Sequence, residues 1–191
     1  MADYRAIAAV CEAVANLLRS NYKPELFNHE LQFDVYTRDN FHTAMEAGVS
    51  VFLYRIYHNG ANRIPPGKLN SKGVRKLPQL PLDMHFLLTA WARGASLQNT
   101  IAGWMMRVLE DTPILQPGLL NHKWPSFAPN ETVEISLAKL STEDILRIWD
   151  TLIQEKYQLS VPYLARNVRI DSEIPQPKTS AIREREFQFK A

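Results

Sequence analysis

The stretch LDMHFLLTAW, at residues 82–91, decides the fold. Apolar side chains dominate it, and its ionisable residues, Asp83 and His85, stand near its beginning. A continuous apolar run of this kind is typical of a central β-strand that is buried on both faces, whereas a half-buried strand alternates apolar and polar residues. The chain is therefore predicted to build a sheet around this strand.

Other strands are predicted on either side of this run. They lie at residues 31–36, 49–58, 132–137 and 157–170. The shorter ones alternate apolar and polar side chains, which indicates that one of their faces is buried. Pro162 interrupts the last segment, and because proline cannot donate to a strand ladder, we expect an edge position or a bulge there.

Helical spacing of apolar residues appears in three other segments. They follow the predicted capping residues Asp3, Ser96 and Ser141, and Pro113 ends the second of them. The order helix, strand, strand, strand, helix, strand, helix, strand predicts an α+β fold. We expect a single mixed β-sheet with about three packed helices, plus a long basic loop and an extended C-terminal tail.

Composition is that of an ordinary globular protein. Of the 191 residues, 46% are hydrophobic and 22% are charged, so the chain is long enough to bury a core without disulfides or metals. The single cysteine, Cys11, suits a reducing compartment. No apolar run approaches the roughly 20 residues that span a bilayer, and the first residues do not begin a signal peptide. A soluble protein without membrane association is predicted.

The positive charge is concentrated in residues 59–81, here called the basic segment. It contains five cations and no Asp or Glu, and without it the chain has 17 basic and 20 acidic residues. The cations are Arg63, Lys68, Lys72, Arg75 and Lys76. Interspersed prolines and glycines prevent a helix or central strand, so a long loop is predicted. It is either a solvated excursion or a contact for an acidic protein partner; nucleic acid is disfavoured because no aromatic side chain interleaves with these cations.

The chain changes character again after Ser172, which divides it into a domain at residues 1–172 and a C-terminal tail at residues 173–191. Residues 182–191 of this tail read IREREFQFKA, so Arg183, Phe187 and Phe189 share one side of an extended chain. Such a pattern either adds a strand to the edge of another sheet or remains disordered.

Candidate catalytic groups are few. Asp83 and His85 face the same side of the predicted strand, which suits a metal or an acid–base pair. A third group is missing, however, and a polar strand edge satisfied by neighbours or by an interface is favoured. Cys11 lies on the apolar stripe of the first helix and is interpreted as a buried hydrophobe rather than a nucleophile. No catalytic residue, cofactor or metal is predicted.

The tryptophans divide into two groups. Three lie on predicted core stripes and are interpreted as packing residues: Trp91, Trp104 and Trp149. Trp124 instead lies in a proline-flanked loop beside Lys123 and Phe127. It is either an exposed contact for another protein or part of a loop that folds back on the core.

Several strings together resemble one family. They are LYRIYHNGANR from Leu53, LPLD from Leu80 with TAW from Thr89, GW from Gly103 with LEDTPIL from Leu109, and YQLSVPY from Tyr157. Across residues 2–172 they resemble the tail-terminator or cap proteins of phage-tail-like extracellular contractile injection systems. The N-terminal domain of these proteins was long catalogued as a domain of unknown function. Longer relatives carry additional C-terminal sequence, so contacts made by such an extension are not carried over.

This resemblance implies a structural role rather than an enzymatic one. Six copies would form a homo-oligomeric ring, a hexamer, on the distal end of the inner tube, stop its growth and connect to the last sheath layer. The partners implied are a second copy, the inner tube protein and the sheath protein. The protein would be cytoplasmic during assembly and then part of a particle released by lysis.

Two other functions stay open: a tail-completion protein joining a contractile phage tail to a DNA-filled head, and an enzyme with a pocket at Asp83 and His85. Candidate partner-binding residues are the cations of the basic segment, Trp124, and three residues of the tail. In full they are Arg63, Lys68, Lys72, Arg75, Lys76, Trp124, Arg183, Phe187 and Phe189.

Overall fold

A computed structural model describes residues 2–62, 79–153 and 157–174. Its strands are β1 Gln32–Tyr36, β2 Gly48–His58, β3 Leu80–Trp91, β4 Ile114–Leu115, β5 Val133–Leu137 and β6 Ser160–Ile170. Its helices are α1 Ala6–Asn21, α2 Ala95–Asp111, the single turn α3 Pro117–Leu120, and α4 Thr142–Leu152. Short 3-10 segments lie at Pro24–Leu26, Arg38–Thr43 and Gly60–Asn62.

All six strands form one sheet in the order β1-β2-β3-β6-β5-β4. The β1–β2 pair is parallel and every other pair is antiparallel, so the sheet is mixed. The predicted α+β fold with a single mixed sheet and packed helices is confirmed.

The predicted central strand is confirmed as well, because β3 pairs along its length with β2 on one side and β6 on the other. Met84, Phe86 and Leu88 are fully buried on the first face of the sheet, in a core shared with α1 and α2. Leu87 and Trp91 are buried on the second face in a separate cluster. This strand is apolar at consecutive positions because it contributes to both cores.

The second core is built mainly from aromatic rings. It contains Tyr36, Phe41, Leu87, Trp91, Trp149 and Leu152. The Phe41 ring lies edge-on to those of Tyr36 and Trp149, with centroids 5.4 and 5.5 Å away. Trp91 and Trp149 each donate an indole N–H, to the hydroxyls of Ser50 at 2.8 Å and Ser160 at 3.2 Å.

The predicted packing role of these two tryptophans is thus confirmed. Trp104 belongs to the first core, where its ring lies 5.4 Å from that of Phe27 and 5.8 Å from that of Phe33. The second core occupies only the Trp91 end of β3. At the other end of the same face Asp83 and His85 are half-buried.

Helix starts agree with the sequence in one case and differ in two. Ser141 caps α4 as predicted, because its hydroxyl accepts the Asp144 backbone N–H at 3.1 Å. Helix α1 begins two residues later than an Asp3 cap requires, and Asp3 instead accepts the backbone N–H of Arg5 at 2.9 Å. Helix α2 begins after Gly94 without a side-chain cap, so Ser96 lies inside it.

The expectation for Pro162 is wrong. Strand β6 is an interior strand between β3 and β5, and Pro162 pairs with Leu87 without a register shift. The Pro162 carbonyl accepts the N–H of Ala138 at 3.0 Å, one residue beyond the end of β5. The N–H and C=O of one residue in an antiparallel strand point to the same neighbouring strand. The N–H that Pro162 lacks would therefore face the β5 side at a point where β5 has already ended.

Candidate interaction surfaces

Asp83 stabilises an irregularity at the half-buried end of β3. The β3–β6 register shifts between Leu82 and Met84, and Asn167 opposite takes the left-handed φ of 55°. Asp83 Oδ1 accepts the Asn167 backbone N–H at 2.9 Å, which this bulge would otherwise leave unpaired. The Asn59 side-chain amide lies 3.1 Å from both Asp83 oxygens. Asp83 therefore holds a bulge and a turn in place, as the satisfied polar edge favoured from sequence.

His85 lies next to it among aromatic side chains. The imidazole centroid is 5.2 Å from the ring of Tyr57 and 6.0 Å from that of Tyr54. The Arg55 guanidinium stacks 4.0 Å above the Tyr57 ring. Burial, and then the positive charge of Arg55, lower the pKa of His85, while Asp83 opposes the shift. His85 is thus biased toward neutral imidazole.

The surroundings of Asp83 and His85 support neither a metal site nor an acid–base pair. In the part of the chain that the structure describes, no three His, Cys, Asp or Glu side chains are grouped to hold a metal ion. Both carboxylate oxygens of Asp83 are engaged by the groups that fix the bulge. Cys11 is buried in the first core, and burial raises the pKa of its thiol to about 12, which suppresses the nucleophilic thiolate near neutral pH.

The loop at residues 121–129, the tryptophan loop, folds back on the first core. Phe127 is buried, and its backbone N–H and C=O bond the Asn121 side-chain amide at 2.8 and 3.0 Å. Lys123 forms an ion pair with Glu12 of α1 at 2.8 Å, and its ammonium lies 4.8 Å from the centroid of the Trp124 ring. Trp124 is half-buried, which agrees with the folded-back alternative and leaves part of the ring accessible.

The other predicted contact residues fall outside the described ranges. They are Arg63, Lys68, Lys72, Arg75 and Lys76 of the basic segment, and Arg183, Phe187 and Phe189 of the C-terminal tail. The described ends of the basic segment, Gly60–Asn62 and Leu80, extend from the β2–β3 hairpin next to Asp83. The segment therefore leaves the sheet at the same end as the half-buried pair.

A cleft of about 940 Å³ opens between the Pro24–Leu26 turn and the start of α2. Its walls include Phe27, His29, Glu46, Arg93 and Leu97. Arg93 and Glu46 pair with each other across 2.5 Å at the exposed rim. His29 Nδ1 lies 3.1 Å from the Phe27 carbonyl. These groups are engaged with each other or with the backbone, so the cleft offers no assembled acid–base or nucleophile pair.

Strand β1 forms one edge of the sheet, a feature that sequence reasoning missed. A groove of about 460 Å³ runs along it, lined by β1 itself, by Glu12 and Arg19 of α1, and by Lys123. Alternation in β1 gives no indication of whether a strand lies at an edge or inside a sheet. Only the pairing of all six strands places it there.

No helix in the described ranges is long and apolar enough to cross a membrane. The architecture is that of an α+β domain whose single mixed sheet carries helices on both faces, with the β1 edge and a folded-back loop among its accessible described features. The chain matches the family described as the Pvc16 N-terminal domain over residues 9–184 and belongs to that family. The tail-terminator family resemblance found in the sequence is thereby confirmed.

Two solved structures share the fold. One is the sheath/tube terminator of PVC, an extracellular contractile injection system, in its extended state, with 18% identity and a TM-score of 0.61 over 96% of this chain. The other is the tube-terminating cap of the anti-feeding prophage, with 15% identity and a TM-score of 0.64 over 94% of this chain. The matches cover 65% and 60% of those two chains, less than two thirds of either. Among curated proteins, none matches this sequence.

Proposed function

We propose that this protein is a structural cap that terminates the inner tube of a contractile injection system. Membership of the Pvc16 N-terminal domain family over residues 9–184 is the observation that carries the proposal. The fold shared with two tube-terminating proteins supports it. In this role the chain forms a ring of six copies on the distal end of the tube and contacts the last layer of the sheath.

The accessible features of the domain suit assembly better than catalysis. A ring uses two different surfaces of each copy, because one subunit's front meets the next subunit's back. The β1 edge lies at the Trp91 end of β3, because β1 pairs with the beginning of β2, where Gly48 pairs with Trp91. The half-buried aromatic part of the second face, around His85, lies at the opposite end of β3, where His58 pairs with Leu82. Two distinct contact surfaces are therefore available on one domain.

The tube and the sheath are the other partners we propose. The cations of the basic segment, Trp124, and the tail residues Arg183, Phe187 and Phe189 are the candidate contacts with them. In this scheme residues 1–172 are the cap domain and residues 173–191 a tail. The protein is made in the cytoplasm, performs no chemical step, and leaves the cell as part of the particle.

The concentration of positive charge in the basic segment favours one alternative. A tail-completion protein of a contractile phage would place these cations on DNA phosphates where the tail joins a filled head. Gene neighbourhood separates the two functions: sheath, tube and baseplate genes without capsid genes support the cap, and adjacent capsid genes support the phage protein.

Electron microscopy of particles with and without this gene tests the proposal. Deletion should leave baseplates that nucleate tubes of uncontrolled length, or particles that lose their sheath. A strain complemented with the intact gene is the control and should recover uniform particles. Deleted particles with wild-type length, sheath and tip would show that the protein is not the terminator.

A further inference from the structure

The outer edge of β1 has backbone groups available for pairing. In β1 the Gln32 N–H bonds the Ala47 carbonyl, so Gln32, Asp34 and Tyr36 direct their backbone groups toward β2. The intervening residues, Phe33 and Val35, direct theirs outward because backbone groups alternate sides along a strand. The Phe33 carbonyl accepts from the Arg19 guanidinium. The Phe33 N–H and both Val35 groups have no partner in the described part of the chain.

The groove beside this edge follows β1 along its whole length. Its volume is about 460 Å³, and its lining includes all five residues of β1. Arg19 lies at its wall, held by the Phe33 carbonyl and by Asn16, with Asp34 at 4.0 Å. A charged side chain over an edge strand blocks indiscriminate pairing, and Arg19 is the group that an incoming strand would displace.

We propose that the β1 edge receives residues 182–191 of a second copy of this chain as an added strand. This inference rests on the proposed ring and specifies its subunit contact. Main-chain hydrogen bonds to Phe33 and Val35 would supply the pairing. The alternating sequence of residues 182–191 supplies the segment with the required period of two.

The distance that the linker would have to span favours insertion into a second copy of the chain over insertion into the same copy. Strand β6 ends at Ile170 beside Leu80, whereas the near end of β1, Tyr36, is level with Pro162 of β6. At about 3.3 Å per residue and about 4.8 Å per strand, these points are about 30 Å apart. The 12 residue steps from Ile170 to Ile182 span at most about 43 Å when fully extended. Self-insertion would therefore stretch the linker to about 70% of its full length even along a straight path, while a neighbour in a head-to-tail ring imposes no such limit.

Disulfide cross-linking between two populations of the full-length protein tests this contact. All variants carry Cys11→Ala, so that each chain has one engineered thiol. One population carries Asp34→Cys in β1, and the other carries either Phe187→Cys or Gln188→Cys. We expect a covalent heterodimer with only one of the two tail variants, at least tenfold above the other, because successive side chains of a strand point to opposite faces. Glu134→Cys, an exposed carboxylate position on the interior strand β5, is the matched control and should give no heterodimer.

Val35→Pro supplies a second readout. It removes an outward N–H and leaves the bonds to β2 in place, so the thermal midpoint should stay within a few degrees of that of Val35→Ala while the cross-link yield falls at least tenfold. Equal cross-linking by both tail variants, or none by either, would overturn the strand contact. Electron microscopy of the same samples separates this failure from that of the proposed function: capped tubes without the cross-link contradict only the β1 contact, whereas uncapped tubes from the unmodified protein contradict the cap itself.

Discussion

Asp83 joins three segments of the chain through its two carboxylate oxygens. It connects β3 with the Asn59 turn, 24 residues away in sequence, and with the Asn167 bulge, 84 residues away. Hydrogen bonds to an ionised acceptor contribute more than neutral ones, and their loss leaves the bulge N–H without its partner. This residue contributes to the stability of the sheet rather than to a reaction.

Asp83→Ala should accordingly lower the free energy of unfolding by about 2 kcal/mol, and the thermal midpoint by about 4–8 °C. Asp34→Ala is the control, since the Asp34 side chain is exposed and its nearest cation is 4.0 Å away, and it should change stability by less than about 0.5 kcal/mol. Chemical denaturation of both variants measures the difference. A stoichiometric metal that is bound by the unmodified protein and lost from Asp83→Ala would contradict this interpretation.

His85 should make stability depend on pH in a defined direction. Burial and Arg55 lower its pKa in the folded state, so the unfolded chain binds a proton first as the pH falls. The contribution of neutral His85 is complete above the ordinary histidine pKa of about 6.5 and decreases as the pH falls below it. The groups facing the ring are Asp83 on its own strand and Tyr54, Arg55 and Tyr57 on β2.

Denaturation of the unmodified protein and of His85→Gln between pH 7.5 and about 5 tests this effect. The unmodified protein should lose more stability over this range, because glutamine does not titrate. His122→Gln, which replaces an exposed histidine of the tryptophan loop, is the control for the removal of one imidazole. Identical slopes for His85→Gln and the unmodified protein would show that the imidazole is not desolvated by the fold.

At the scale of elements, the N-terminal cap of α4 is specified by neighbouring residues, whereas the position of α4 on the sheet is specified by residues that are distant in sequence. The Ser141 hydroxyl accepts the Asp144 N–H and lies 2.6 Å from its carboxylate, all within one turn. Trp149 and Leu152 of the same helix then cover Leu87 and Trp91 of β3, far away in sequence. The cap defines where the helix starts, and the aromatic cluster decides where the helix lies.

Ser141→Ala should therefore destabilise the protein by about 1 kcal/mol, because a helix start loses its side-chain acceptor. Ser96→Ala is the matched control: this serine lies exposed inside α2, and alanine favours helices slightly more than serine does, so stability should be unchanged or rise by a few tenths of a kcal/mol. Equal losses from both substitutions would contradict the assignment of the two helix starts. Equilibrium unfolding in urea gives both values.

At the scale of the whole molecule, charge is the property that distinguishes the basic segment from the rest of the chain. Five cations without an intervening acid attract an acidic surface, and salt weakens the attraction as the Debye length falls from about 10 Å at 0.1 M to about 3 Å at 1 M. The contact with tube or sheath should therefore be salt-sensitive.

Reversing Arg63, Lys68 and Arg75 to Glu should leave the thermal midpoint nearly unchanged and abolish capping, seen as irregular particle lengths. Reversal of three cations outside the basic segment is the control for net charge and should preserve capping; these are Lys23, Arg38 and Lys139, all exposed. Uniform, capped particles from the first triple variant would show that the basic segment makes no such contact.

Much of the secondary structure followed from the sequence because its causes are local. The apolar run at residues 82–91, the alternation in the shorter strands and the Ser141 cap each depend on residues within one or two turns or strand repeats. The family could also be recognised from the sequence, because several distinctive strings occur along the chain. These features determined an α+β domain with a doubly buried central strand and an assembly role as the leading hypothesis.

Only the tertiary structure decided the order of the strands, and with it the structural roles of individual residues. Pro162 lies in an interior strand because its missing donor faces a neighbour that has already ended, which no local pattern reveals. The β1 edge and the bonds of Asp83 likewise depend on pairing between segments that are distant in the chain. Alternation records which face of a strand is buried, whereas edges, bulges and grooves are set by which strands become neighbours.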